Sequence, residues 1–247
     1  MDRLNELFNN AKDKVLGNQR GNQGIGSLSE KTVHAILKNM YEPAGDYQEV
    51  AVLGYVADIC KGNEIIEIQT ANFNKMRAKL EKFLPEYNVT IVYPVPHLKW
   101  LLWIDNETGE VSKKRKSPKT GNVYTVFYEL YKIKQFLKNE NLRFKIVLMD
   151  VEEYRLLDGW SEDKKKGSHR YDRIPCNIAG EVSIDCIQDY VQLIPYDLPE
   201  QFSSKDYAKA AKVSTGVAGL AVNILNYLEV IKIVSKKGNA YIYEVVE

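Results

Sequence analysis

The chain opens on an apolar stripe at helical spacing, Leu4, Leu7, Phe8, Ala11 and Val15, which predicts a short amphipathic helix over residues 2–16. A polar run, 17–26, reads as a loop, and a second stripe, Val33, Ile36, Leu37 and Met40, marks the next helix. The period then changes from helical to alternating. Strands are predicted at 49–53, 55–60, 64–70 and 89–93, with Pro94 and Pro96 closing the last, and a helix at 72–84 lies between the third and fourth. A further strand covers 100–105, where the Trp100–Trp103 run reads as core. A turn-rich and lysine-rich loop follows at 106–122, then a helix at 124–138 and a buried strand at 144–149. Elements alternating in this way predict the α/β class.

From Leu198 the pattern changes again. Residues 204–211 form a helix with a serine start signal, 212–215 a turn, 217–230 a second helix, and 231–235 with 241–245 a hairpin; Ile184 to Leu193 supplies a preceding helix. Helix, turn, helix and hairpin together resemble a winged helix-turn-helix. Its second helix carries no basic residue, only Asn223 and Asn226 as base-reading side chains, so the module either touches phosphate through the wing lysines Lys236 and Lys237 or serves as a dimer or partner surface.

Thirteen residues, Asp58 to Thr70, hold the candidate chemistry: D-I-C-K-G-N-E-I-I-E-I-Q-T. Gly62-Asn63 is a two-residue hairpin turn. If Lys61 pairs with Glu64, counting outward places Asp58 directly opposite Glu67. Like charges so opposed, with Cβ atoms roughly 5 Å apart, are destabilising unless a cation neutralises them. Alternation puts Gln69 on the same face as Glu67, where it adds a third oxygen. The plainer alternative is a solvated sheet face with Lys61 and Glu64 as a surface pair.

The D…E-x-Q arrangement resembles the PD-(D/E)XK nuclease superfamily in the variant where glutamine replaces the usual lysine, and the layout looks most like its resolvase-type members. The order of helix, three strands, helix and strand over the first half of the chain fits that family's core. The whole chain also resembles an uncharacterised bacterial protein family. The nuclease resemblance implies a restriction-endonuclease-like mixed central sheet flanked by helices, followed by the winged-helix domain. Residues 1–26 would form an N-terminal helix and linker, 27–180 the nuclease domain and 181–247 the winged helix. It further implies a Mg²⁺ (or Mn²⁺) ion held by Asp58, Glu67 and the backbone carbonyl of Ile68, with Glu30 on the preceding helix as a further ligand. Glu30 also completes a capping box with Ser27, which is its structural alternative. Glu30, Asp58, Glu67 and Gln69 would then be the catalytic set of a DNA endonuclease acting on duplex or branched substrate, with a homodimer as the simplest way to cut two strands. Gln69 cannot take a proton as the family's lysine can, and the rival reading is a non-catalytic DNA-binding or regulatory protein.

Composition limits these readings. The 247 residues carry a formal charge of +1, so a polyanion would have to be met by clusters. Lys113, Lys114, Arg115, Lys116 and Lys119 make one, and the loop Lys164 to Arg173 makes another; each is otherwise a solvated loop. The basic residues of the 72–84 helix, Lys75, Arg77, Lys79 and Lys82, read as its wet face. Three cysteines without a C-x-x-C pair argue for free thiols, and a polar N-terminus with no apolar span predicts a soluble, cytoplasmic protein. His34, His97 and His169 are too scattered for a metal motif.

Overall fold

The computed structural model of the chain describes residues 2–21, 32–160 and 166–246. Its elements run α1 (Asp2–Gly21), α2 (Thr32–Tyr41), β1 (Gln48–Val52), β2 (Tyr55–Lys61), β3 (Glu64–Ile68), α3 (Arg77–Phe83), β4 (Asn88–Asp105), β5 (Arg115–Lys116), α4 (Phe127–Leu130), β6 (Leu142–Trp160), β7 (Lys166–Ile184), β8 (Gln201–Ser203), α5 (Ser204–Ala211), α6 (Thr215–Tyr227), β9 (Ile231–Lys237) and β10 (Ala240–Val245). The expected α/β class holds: helices flank a large mixed sheet of order β1-β2-β3-β4-β6-β7, with β5 paired to β4, and β8-β10-β9 form a second sheet. The chain divides into two compact units: Met1–Val50, Pro94–Asn122 and Val147–Glu181 in the first, Ala51–Tyr93, Val123–Ile146 and Val182–Glu247 in the second.

The second unit is organised by the β2–β3 hairpin. Gly62 takes a left-handed φ of 62°, which a side chain resists, and the strands pair as Ile59↔Ile66, Cys60↔Ile65 and Lys61↔Glu64. From β3 the chain passes through α3 and returns as β4, parallel to β3 from Glu64↔Asn88 to Ile68↔Val92. The returning helix packs by its apolar stripe, and Ile65, Phe73, Leu80, Phe83, Val89 and Ile91 are all fully buried. Phe73 lies parallel to Phe144 at 6.4 Å and edge-on to Tyr93 at 5.4 Å, a geometry suited to the ring quadrupoles. Later in this unit Ser203 and Asp206 cap α5 reciprocally, and Lys212 turns the chain left-handed at φ 53° before α6. Ser214 caps α6, whose buried side includes Val217, Ala218, Ala221 and Leu225.

The first unit holds α1, α2 and the outer lengths of β4, β6 and β7 with β5. Phe8, Ala11 and Val15 of α1 and Ile36, Leu37 and Met40 of α2 are buried as their spacing predicts. Gly121 donates its N–H to the His97 carbonyl at 2.9 Å, and a Cβ there would lie 2.2 Å from the Pro96 carbonyl oxygen.

Several expectations are corrected. The segment 17–21, read as loop, continues α1. Pro94 and Pro96 do not end β4. Gln69 N–H donates to the Val92 carbonyl, so the polar groups of residues 92, 94 and 96 face the β3 side, where the β3–β4 register ends at Val92 and a proline removes no ladder donor. The helix expected at 124–138 is three short pieces: α4 lies between 3-10 turns Val123–Val126 and Tyr131–Phe136, and Ile133 leaves helical backbone at φ −121°. The basic segment read as a loop from Lys164 lies, from Lys166 on, in the nineteen-residue strand β7. Ile184 ends that strand, and only Ile187–Leu193 is helical, as a 3-10 helix. Trp100 and Trp103 are half-buried, and of that run only Leu102 belongs to the core. The three cysteines are unbridged. Among the described residues, no helix is long and apolar enough to cross a membrane.

Candidate active site

The backbone pairing of the hairpin reaches Ile59↔Ile66, and just beyond it Asp58 Oδ2 accepts the Ile68 N–H at 2.7 Å. This anchors Asp58 beside Glu67, which is 2 % exposed. A partner for Glu67 comes from an unexpected residue. Lys79 Nζ of α3 donates to both carboxylate oxygens, at 3.0 and 2.8 Å, and also to the Val56 carbonyl at 2.7 Å. One ammonium therefore ties the β2–β3 hairpin to the helix that follows it. Lys79 is no part of a wet face, and the sequence carried a signal for this: Met76, Lys79, Leu80 and Phe83 stand at i, i+3, i+4 and i+7, which puts a lysine inside the buried stripe.

The electrostatics follow from that burial. Removal from water pushes the Glu67 carboxyl up from 4.5 to about 7, and the neighbouring Asp58 charge pushes in the same direction. The Lys79 charge and hydrogen bond, with a backbone N–H of Asp58, pull it back only in part. Glu67 therefore holds its proton to higher pH than an ordinary carboxylate does, and a cation placed between the carboxylates would favour its ionised form.

The remaining expected residues fall out differently. Glu30, with its capping partner Ser27, lies outside the described residues. Ile68 is buried at the end of β3. Gln69 lies just past β3, and its side-chain amide nitrogen donates back to the Ala71 carbonyl. Among the described residues no three His, Cys, Asp or Glu side chains gather into a metal-binding group. Within the basic run, Lys113 and Lys119 are exposed and Arg115 and Lys116 form β5. Lys114 is engaged internally, paired to Glu152 at 2.6 Å and lying over the Trp100 ring at 4.7 Å. Lys236 and Lys237 end β9 on the exposed tip of its hairpin, and Asn223 of α6 accepts a hydrogen bond from Lys134 at 2.8 Å. His97 pairs with Asp150 at 3.1 Å and His169 with Asp158.

A family profile described as "Domain of unknown function (DUF8091)" matches residues 31–185. The chain belongs to this family. The DUF8091 segment contains Asp58, Glu67 and Lys79 and ends one residue past β7. An uncharacterised protein of Treponema pallidum (strain Nichols) is 29 % identical over 194 residues, covering 78 % of this chain and 76 % of that protein. No solved structure matches the chain.

Proposed function

We propose that this chain is a divalent-metal-dependent endonuclease that hydrolyses phosphodiester bonds in DNA, with its site at Asp58 and Glu67. The observation that carries the reading is the pair of carboxylates held together at the end of a hairpin and backed by the Lys79 ammonium. Hard carboxylate oxygens suit Mg²⁺ or Mn²⁺, and the repulsion by which Asp58 raises the Glu67 carboxyl is the kind of strain that such an ion relieves. Asp58, Glu67 and the Ile68 carbonyl would hold it. When bound it would neutralise the scissile phosphate and make water acidic enough to attack near neutral pH. Lys79 supplies the fixed ammonium that Gln69 lacks, and through Val56 it keeps Glu67 oriented toward Asp58. The parallel return from β3 through α3 to β4 supports the restriction-endonuclease-like reading of the fold. The order 3-10 helix, β8, α5, α6, β9, β10 with sheet order β8-β10-β9 supports a winged helix whose wing lysines, Lys236 and Lys237, meet phosphate. A homodimer in the cytoplasm completes this reading.

A specific observation favours the second reading, a DNA-binding or regulatory protein that no longer cuts. Lys79 already donates to both oxygens of Glu67, and Gln69 is turned back on Ala71. Purified protein offered supercoiled, linear and branched DNA with Mg²⁺ or Mn²⁺ separates the two. Cleavage that disappears in Asp58→Ala is the expected result. Binding without cleavage under either metal would establish the non-catalytic reading.

A further inference from the structure

Within the first unit, four cations surround one buried carboxylate, and a fifth, Lys119, adjoins one of them. Glu153 of β6, 3 % exposed, accepts on Oε1 from Arg155 Nη1 at 2.9 Å and on Oε2 from Arg173 Nε at 2.9 Å, with Arg173 Nη2 at 2.8 Å. Arg155 is fixed further by the Ser168 hydroxyl at 3.0 Å and the Ser168 carbonyl at 2.9 Å. Around this hub stand Lys99 of β4, Lys119 in the segment after β5 and Arg170 of β7. The Ser117 N–H donates to the Lys99 carbonyl at 2.8 Å, which brings the Lys119 segment alongside Lys99. Against five positive charges the group sets two negative ones, Glu153 and Asp172, and Asp172 also accepts from Thr32 Oγ1.

Glu153 is itself held ionised. Burial would raise its carboxyl, but Arg173, Lys99 and Arg155 together keep it below the ordinary carboxylate range. It neutralises one guanidinium and orients two, and it is too buried to meet a ligand. Partial loss of solvation lowers Lys99 and, although its residue stays exposed, Arg170, and the neighbouring cations lower both further, a mutual repulsion that a polyanion would relieve. Arg170 and Lys119 are exposed, while Lys99, Arg155 and Arg173 are half-buried.

We propose that this cluster, Lys99, Lys119, Arg155, Arg170 and Arg173 arranged on the Glu153 hub, is a binding site for the phosphate backbone of a nucleic-acid strand. The cations sit on three adjacent strands, β4, β6 and β7, which at about 4.8 Å per step reach across about 10 Å of sheet, so they suit successive phosphates along a strand better than a single phosphate group. Two planar, pre-oriented guanidinium groups are the side chains that recognise phosphate oxygens in pairs. The site stands on its own whether or not Asp58 and Glu67 cleave.

The test is binding of labelled duplex and single-stranded oligonucleotides over a salt series in EDTA, where metal-dependent cleavage plays no part. Wild type binds with a steep salt dependence. Lys99→Gln with Arg170→Gln lowers affinity roughly 10- to 100-fold near 0.1 M salt and reduces the duplex log–log slope by about 2, at about 0.9 for each phosphate no longer neutralised. Lys119→Gln alone, on an exposed segment with little bearing on folding, reduces it by about 1. Lys75→Gln with Lys82→Gln, which removes equal charge from exposed positions on and beside α3, leaves the slope unchanged. Equal affinity and slope in wild type and all cluster variants would overturn the proposal. So would binding of inorganic pyrophosphate, abolished in the cluster variants, with no binding of either oligonucleotide, because the site would then take a small phosphate ligand instead.

Discussion

Replacing Glu67 by glutamine should stabilise the protein at pH 8 while leaving it nearly unchanged at pH 5. The wild-type carboxyl is raised from 4.5 to about 7 in the folded chain, so between those values the folded state holds a proton that the unfolded state has released. Stability therefore falls as pH climbs through this window and levels off above it. At roughly 1.4 kcal/mol per pH unit, the full rise is worth about 3 kcal/mol, an order-of-magnitude figure that already includes what Lys79 gives back. Glutamine has the shape of the protonated acid, carries no charge, and leaves Lys79 its bond to the Val56 carbonyl. Urea unfolding of both proteins at several pH values between 5 and 8 measures the effect. With an m-value of about 1–3 kcal/mol/M, the midpoint of the variant should exceed that of the wild type by about 1–3 M at pH 8. Titrating groups common to both proteins, the three histidines included, drop out of the difference. A variant that is less stable at pH 8, or a difference that does not change with pH, would refute the account of Glu67. Adding Mg²⁺ extends the measurement: if the ion sits between Asp58 and Glu67, it raises the wild-type stability at pH 8 by about 1.4 kcal/mol at tenfold its dissociation constant, and leaves Glu67→Gln unmoved.

Lys79→Met removes the ammonium bound to Glu67 while keeping the apolar stem, so it should destabilise by about 3 kcal/mol at pH 8 and far less at pH 5, where Glu67 is protonated; equal losses at both pH values in the same unfolding assay would argue against the ion pair. Gly121→Ala forces a methyl to within 2.2 Å of the Pro96 carbonyl oxygen, and a loss of about 2 kcal/mol is expected, read as a drop in thermal midpoint; an unshifted midpoint would mean that the close approach relaxes freely.

Much of the second unit was legible because its signals are local. The Gly62-Asn63 turn set a register, the register placed Asp58 next to Glu67, and the stripe Met76, Leu80 and Phe83 oriented α3. What escaped was decided by distant partners. Pro94 and Pro96 end a strand only where their missing donors are wanted, and the length of β3 settles that. Strand β7 was hidden because its basic first half looks like a solvated loop, while its partners, Glu153 and Arg155, stand on another strand. Gln69 followed the alternation rule only as far as β3 lasts, and one residue past Ile68 its amide is free to turn toward Ala71.

The site at Glu67 is poorly explained as a device for holding the fold together. A buried carboxylate beside a second carboxylate is unfavourable even with an ammonium on it, as the rise to about 7 records, and an apolar residue at position 67 would serve the β3–α3 packing better. Glu153, by contrast, is held below its ordinary range by the arginines around it, so there the cations offset the burial. The two buried carboxylates thus make opposite predictions. Neutralising Glu67 should raise stability in alkaline solution, whereas neutralising Glu153 should lower it and loosen two arginines. On the proposed reading the first carboxylate would serve the chemistry of phosphodiester cleavage, and the second, by ordering guanidinium groups, the binding of the strand.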